Sequence, residues 1–309
     1  MYNQPPPQGN PAMMDIRARL RPMGIGDILD ETFHLYRENF LLFIATVAVV
    51  EVPLQIIILI LTLALTGSAQ SLFTFSTTTT QGEPLTPSQR DSLIHAGATA
   101  AGLGLLLTVI SIIGVALLST ALAVVISQRY LGRAVTVGEA YRVSLRRLGA
   151  FVLALLWIGV RVVLLSITII GIPVAIYFLV AWTLYPQTIV LEDANGGAAS
   201  KRSRELINGF WWKTAGLLIV TQLLVGIVSA IPTSIVTAVA GSGVGSLYTR
   251  TLINGAVGLV VGLLLGPIQA TTTTLLFYDL KIRKEAFDLE AMARQAQAAA
   301  PPPSPYAPS

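Results

Sequence analysis

The chain has no cysteine, and only two of its 309 residues, His34 and His95, are histidines. The lack of cysteine excludes disulfides, thiolate metal sites and a cysteine nucleophile. Two histidines that the topology below places on opposite sides of a membrane cannot form a two-histidine metal site within one chain. P-loop, HExxH and dinucleotide-binding motifs are also missing. The sequence therefore predicts no enzyme activity, no cofactor and no metal.

Charged residues are scarce as well. They make up 12% of the chain, whereas 53% is hydrophobic, and an ordinary soluble domain has about 25% charged residues. Several apolar runs exceed the roughly 20 residues that a helix needs to cross the hydrocarbon core of a bilayer. These runs do not alternate in polarity, as the strands of a β-barrel would. The sequence predicts an all-α polytopic membrane protein with six transmembrane helices, near 41–66, 97–127, 150–170, 172–191, 214–238 and 252–278.

The basic residues predict the orientation of these spans. All of the 20 lysines and arginines except Arg90, Arg161 and Arg250 fall on one side of the predicted topology. The positive-inside rule makes that side cytoplasmic. We therefore expect a multi-pass protein of the plasma membrane with both termini in the cytoplasm, and no nucleic-acid partner. The six-span domain is expected over 20–290, between tails at 1–19 and 291–309 whose composition is typical of disorder.

A short amphipathic segment precedes each odd-numbered span, at 25–40, 137–151 and 196–212. The three segments can be aligned so that two positions match in all of them. Ile28, Ala140 and Ala199 share the first position, and Thr32, Ser144 and Ser203 share the second. This pattern predicts three copies of one unit, an interfacial helix followed by a transmembrane hairpin, over about 25–127, 137–191 and 196–280.

Basic residues on the second and third segments define a surface that we name the basic collar. Its residues are Arg142, Arg146, Arg147, Lys201, Arg202 and Arg204. One interpretation is that the segments lie in the headgroup layer and lead the chain into each span. The other interpretation is that the collar binds anionic lipid or an acidic partner, since each basic residue near an anionic leaflet contributes about 1 kcal/mol to the free energy of membrane binding.

Each odd-numbered span also carries one strongly polar residue, about ten or eleven residues from its start. These residues are Glu51, Arg161 and Gln222. An arginine at the centre of a span costs about 2.5–3.5 kcal/mol on insertion scales, so we expect Glu51 to pair with Arg161. The pair would either fix the packing of the repeats or form an intramembrane polar centre for a headgroup, an ion or a proton. When the repeats are aligned, Arg161 lies two residues away from the position that Glu51 and Gln222 share. Whether the three side chains face one another is therefore left open.

The last predicted span contains two further patterns. Gly258, Gly262 and Gly266 are spaced GxxxGxxxG, and small residues at this spacing let helices approach closely. The stripe favours packing within the chain over dimerisation. The threonines of "TTTTLLFYDL" (271–280) are expected to hydrogen-bond to their own helix rather than to line a pore.

Three stretches carry a resemblance to a known family. They are "LRPMGIGDILDETFHLYRENF" (20–40), "YPQTIVLEDANGGAASKRSRELINGFWW" (185–212) and "FYDLKIRKEAFDLE" (277–290). Together they resemble the membrane domain of bacterial glycerophosphoryl diester phosphodiesterases and its stand-alone relatives. The resemblance implies the membrane module alone, because the catalytic barrel of such enzymes needs about 250 residues and the soluble parts here are loops and tails.

These patterns together favour a non-enzymatic integral membrane module that acts as a scaffold or accessory protein. Its expected ligand is a membrane lipid, with anionic lipid as one candidate, or a protein partner. The alternative is a transporter or channel that uses the polar centre at Glu51, Arg161 and Gln222, because internal repeats and broken spans are common in transporters. The protein partner and the oligomeric state are not predicted.

Overall fold

The structure, a computed structural model, describes residues 22–79, 86–241 and 247–299, with residues 64–79, 89, 237, 239–241, 247–248 and 286–299 described by their backbone alone. All regular structure in these ranges is helical, which confirms the all-α prediction. The helices are α1 Ile25–Glu38, α2 Phe40–Thr79, α3 Pro87–Tyr130, α4 Val137–Ser166, α5 Gly171–Ala181, α6 Tyr185–Leu191, α7 Gly196–Ile207, α8 Trp211–Gly241 and α9 Leu247–Ala299.

Six segments in the described ranges are long and apolar enough to cross a membrane, in agreement with the six predicted spans. The chain is therefore a multi-pass membrane protein. The spans are Phe40–Leu63, Arg90–Tyr130, Val137–Ser166, Gly171–Leu191, Trp211–Val236 and Thr249–Glu285. The helix α9 continues through 291–299, which the sequence assigned to the C-terminal tail. The N-terminal tail lies outside the described residues.

The structure does not confirm the predicted threefold arrangement. The first and third amphipathic segments form separate helices, α1 and α7, which end at Glu38 and Ile207 and have Asn39 and Asn208 as their C-cap residues. The second segment runs without interruption into the span as the first half of α4, because nothing between residues 148 and 151 ends the helix. A capping box starts α4: the Thr136 hydroxyl accepts from the Glu139 N–H, and the Glu139 carboxylate accepts from the Thr136 N–H.

The aligned positions of the three segments share one environment in spite of this difference. Ile28, Ala140 and Ala199 are fully buried, and so are the small hydroxyl residues at the second position, Thr32, Ser144 and Ser203.

Ser203 also stabilises a break in one of the spans. The span Gly171–Leu191 is interrupted at residues 182–184. The Ser203 hydroxyl donates to the Ala181 carbonyl (2.9 Å) and accepts from the Leu184 N–H (3.2 Å), so α7 satisfies the backbone groups that the break frees.

The glycine stripe packs within the chain at its central residue. Gly262 of α9 lies against Glu51 of α2, where an added Cβ would be 3.2 Å from the Glu51 Oε1. Gly255, one turn before Gly258, lies against Leu59 in the same way. Gly258 and Gly266 have no neighbour within 4 Å of a Cβ position. The absence of a side chain at Gly262 thus lets α2 and α9 approach closely. The other two glycines of the stripe, Gly258 and Gly266, are not in close contact with another helix.

The four threonines at 271–274 hydrogen-bond to their own helix, as predicted. Each hydroxyl donates to the carbonyl four residues earlier, at 2.7–3.1 Å. Three of these oxygens also take part in contacts between helices. Thr272 lies 3.4 Å from the Thr32 hydroxyl of α1, and Thr273 and Thr274 accept from the Gln187 side chain of α6.

Candidate functional site

The structure does not bring the three predicted polar residues together. Glu51 accepts a hydrogen bond from Gln55 (3.0 Å) on its own helix and lies beside Gly262. Gln222 is exposed on α8 and makes no side-chain hydrogen bond to the described residues. Arg161 forms no ion pair with Glu51 or with any other carboxylate in the described part of the chain. The expected Glu51–Arg161 pair is wrong, because the two residues have different neighbours.

The neighbours of Arg161 are aromatic. Its guanidinium lies 4.8 Å from the ring centroid of Trp157, one turn earlier on α4, and 5.9 Å from that of Trp182, at the end of α5. Arg161 is exposed, and a cation–π contact at an exposed site contributes about 0.5–1 kcal/mol. Two such contacts offset only part of the cost of about 2.5–3.5 kcal/mol for an arginine at the centre of a span. The two rings therefore hold Arg161 in place but leave it without a counter-charge.

Arg161 lines a cavity of about 460 Å³ between α4, α5 and α7. Two further cations from α7, Lys201 and Arg204, line the same cavity, and no carboxylate does. Lys201 approaches Glu205 at 3.9 Å, but both side chains are exposed and such a pair contributes little. Arg204 makes no ion pair within the described residues. The cavity thus collects three positive charges and supplies no negative one.

One face of α7 lines the same cavity, through Gly197, Ser200, Lys201 and Arg204. These residues are spaced three or four positions apart over two turns, so the cavity lies along the side of α7. The arginine guanidinium suits phosphate and other oxyanions. The three cations together therefore make the cavity suited to a phosphate or another oxyanion.

The remaining wall of the cavity is apolar. It is formed by Leu164 and Leu165 of α4, Phe178 of α5 and the Trp182 ring. The cavity therefore combines a cationic part with a hydrocarbon part. Sequence reasoning identified Arg161, Lys201 and Arg204 separately, but it missed Trp182 and the fact that α7 reaches Arg161. The one local signal was Trp157, four residues before Arg161 on the same helix.

The predicted basic collar divides into partnered and unpartnered residues. Arg147 pairs with Asp193, and Arg202 pairs with Glu192 at 2.8 Å. Arg142 and Arg146 are exposed and make no ion pair within the described ranges. Lys201 and Arg204 line the cavity. The collar is therefore partly a structural network, and only its remaining cations are available to a ligand.

Glu192 connects the collar to α9. Its carboxylate accepts from Arg202 and, at 2.9 Å, from Lys281. Burial raises the pKa of Glu192, but the hydrogen bonds from Arg202 and Lys281 outweigh this effect, and the pKa lies below its ordinary value. Glu285 adds a second carboxylate, 3.5 Å from Arg202 and 3.7 Å from Lys281. The network is balanced in charge and joins the loop after α6 to α7 and α9.

A second network surrounds Asp279, whose side chain is 0% exposed. The carboxylate accepts from Lys213 of α8, from Arg283 at 3.0 Å and from the Met23 N–H at 2.7 Å. Lys213 and Arg283 also donate to the Met23 carbonyl, at 2.7 and 3.0 Å. The segment before α1 is therefore tied to α8 and α9 through one buried carboxylate.

No group of three or more histidine, cysteine or acidic side chains in the described residues is arranged to hold a metal ion. No family model matches the chain, and the comparisons with curated proteins and with solved structures find no match either. The resemblance to the membrane domain of glycerophosphoryl diester phosphodiesterases therefore stays a prediction. We name the cavity around Arg161 the Arg161 cavity.

Proposed function

We propose that this chain is a non-enzymatic membrane module that binds the headgroup phosphate of an anionic lipid in the Arg161 cavity, and that it serves as a scaffold or accessory protein. The observation that carries the proposal is the meeting of Arg161, Lys201 and Arg204 at one cavity whose lining has no carboxylate. Arg161, Lys201 and Arg204 are exposed at this cavity, so their charges are accessible to a ligand. An anionic ligand would offset the repulsion among the three cations.

The apolar wall distinguishes a lipid from a soluble anion. Leu164, Leu165 and Phe178 lie beside the cations, so a ligand that fills the cavity has a charged end and a hydrocarbon end. An anionic phospholipid has both. Its phosphate would accept from the guanidinium groups and from the Lys201 ammonium, while its glycerol and acyl carbons would contact the leucine and aromatic side chains. Bidentate hydrogen bonding suits arginine and phosphate.

The positive-inside rule supports placing this cavity on the cytoplasmic side of the plasma membrane. The exposed collar residues Arg142 and Arg146 would then face the anionic surface of the inner leaflet. They would raise the local concentration of anionic lipid near the cavity. The proposal thus gives the collar two roles: its paired residues hold the fold together, and its unpaired residues attract lipid.

Tryptophan fluorescence tests the proposal. The chain has four tryptophans, Trp157, Trp182, Trp211 and Trp212, so a Trp211→Phe, Trp212→Phe background leaves only the two rings that contact Arg161. Brominated phosphatidylglycerol, added to this protein in an uncharged detergent, is expected to quench the emission with higher affinity than brominated phosphatidylcholine. In the same background, removing Arg161 and Arg204 together (Arg161→Gln, Arg204→Gln) is expected to weaken binding of phosphatidylglycerol by at least about tenfold, since hydrogen bonds to charged groups contribute about 1.5–3 kcal/mol.

The matched control is Arg142→Gln with Arg146→Gln, which removes two collar charges that do not line the cavity. Affinity in this control should change by less than about threefold, because exposed charges act weakly and over screened distances. Equal binding of the two lipids, or equal losses in the two double variants, would contradict the proposal.

The transport alternative relied on a polar centre of Glu51, Arg161 and Gln222. Because Arg161 lies with Lys201 and Arg204, and Glu51 lies with Gln55 and Gly262, no observation favours that centre as an ion or proton site. A transport function would need a different site in the bundle.

A further inference from the structure

A second cavity, of about 310 Å³, lies between α3, α6 and α9. All of its lining residues belong to three of the candidate spans, Arg90–Tyr130, Gly171–Leu191 and Thr249–Glu285. The break between α5 and α6 opens onto it, because Thr183 of the break lines the cavity. Irregular backbone within a span is tolerated where it is buried in protein or lines a polar cavity. The position of the break therefore indicates a polar cavity inside the bundle.

The polar side chains around this cavity carry no charge. They are Ser119, Thr183, Tyr185, Gln187, Gln269 and Thr273. Arginine, lysine, aspartate and glutamate are all missing from the lining. An ion that entered would lose its hydration without meeting an opposite charge, so the lining favours a neutral ligand.

Most of these groups have no protein partner. The hydroxyls of Ser119, Thr183 and Tyr185 and the side-chain amide of Gln269 make no hydrogen bond to the described residues. Gln187 is 3% exposed, and its Nε2 donates to Thr273 and Thr274. Its Oε1 is buried without any partner. Buried polar groups are normally hydrogen-bonded, so the unpaired Gln187 Oε1 indicates a missing hydrogen-bonding ligand. The other four groups belong to half-buried or exposed residues and are therefore accessible to the same ligand.

We propose that this cavity binds a small neutral polyhydroxylated molecule. Hydroxyl and amide side chains each donate and accept, and a polyol does the same at every carbon. The volume suits a ligand of a few carbons, near the lower end of ordinary small-molecule sites. This site is separate from the Arg161 cavity, which takes a charged ligand, and the two proposals can fail independently.

The lack of cysteine in the chain allows the site to be tested by thiol labelling. Ser119→Cys and Thr183→Cys each place one small thiol on the cavity wall. Both are expected to react with hydroxyethyl methanethiosulfonate, a neutral water-soluble reagent. Saturating glycerol or erythritol is expected to slow both reactions by at least about threefold, as occupancy of about two-thirds of the sites would do. Potassium chloride at equal osmolality should leave the rates unchanged.

Ser88→Cys, at an exposed residue before α3 reaches its span, is the control for viscosity and reagent chemistry. Gln187→Leu combined with Ser119→Cys should abolish the protection by polyol while the thiol still reacts. Three results would overturn the proposal: no reaction at either cavity thiol, no protection beyond that of the Ser88 control, which would mean that the cavity holds water only, or equal protection by salt.

Discussion

Replacing Asp279 by alanine is expected to lower the free energy of unfolding by about 3–5 kcal/mol, the usual result of removing one partner from a buried ion pair. Three donors converge on this carboxylate: Lys213, Arg283 and the Met23 N–H. Without it, two partly buried cations lie close together with only the Met23 carbonyl as a shared acceptor. The loss therefore includes repulsion between the cations as well as three lost hydrogen bonds.

Unfolding in a series of mixed micelles with increasing dodecyl sulfate would measure this loss. Glu205→Gln is the control, because the Glu205 carboxylate contacts Lys201 at 3.9 Å on an exposed surface, and it should change stability by less than about 0.5 kcal/mol. Asp279→Asn preserves the shape of the side chain and separates the loss of charge from the loss of packing. A decrease below about 1 kcal/mol for Asp279→Ala would mean that the network around Met23 does not hold the helices together.

The second large loss of stability is expected for Gly171→Ala. A Cβ at Gly171 would lie 1.8 Å from the Leu165 carbonyl oxygen, which belongs to the backbone and cannot rotate away. The turn between α4 and α5 must therefore open, and the expected loss of stability is more than about 3 kcal/mol, in the exceptional range for a single substitution. This turn also brings Phe178 and Trp182 beside Arg161, so the variant is expected to lose affinity for anionic lipid as well.

Gly159 on α4 provides a control of the opposite sign. It lies in the interior of the helix with nothing within 4 Å of a Cβ position. Gly159→Ala should therefore raise stability by about 0.5–1 kcal/mol, the usual gain when alanine replaces glycine in a helix. The same dodecyl sulfate titration measures both variants. Equal stability of the two would contradict the tight turn at Gly171.

The sequence was sufficient to predict the membrane class and the spans. Apolar runs and the lack of charge determine how the chain partitions between water and a bilayer, and this signal is local and strong. The threonines at 271–274 were also predictable, because a hydroxyl in an apolar helix has its own preceding carbonyls within reach. Such inferences need only the residues within one or two turns.

The partners of Arg161 could not be predicted in the same way. The predicted partner of Arg161 was Glu51, because the two residues lie at similar depths in their spans. Contacts also depend on the rotation of each helix about its axis and on which helices are neighbours, and depth gives neither. The break at residues 182–184 and the placement of α7 bring Trp182, Lys201 and Arg204 to Arg161. The cluster at Asp279 was missed for a related reason. Its partners Met23 and Lys213 are 256 and 66 residues away along the chain, so no local pattern links them.

Native mass spectrometry of the protein extracted from its own membrane would show directly whether the Arg161 cavity holds an anionic lipid. The expected result is a phospholipid adduct with the mass of an anionic species, retained by the unmodified chain and lost in the variant that combines Arg161→Gln with Arg204→Gln. The variant with Arg142→Gln and Arg146→Gln should keep the adduct. An unmodified chain without bound lipid, or an adduct that the cavity variant retains, would contradict lipid binding at this cavity.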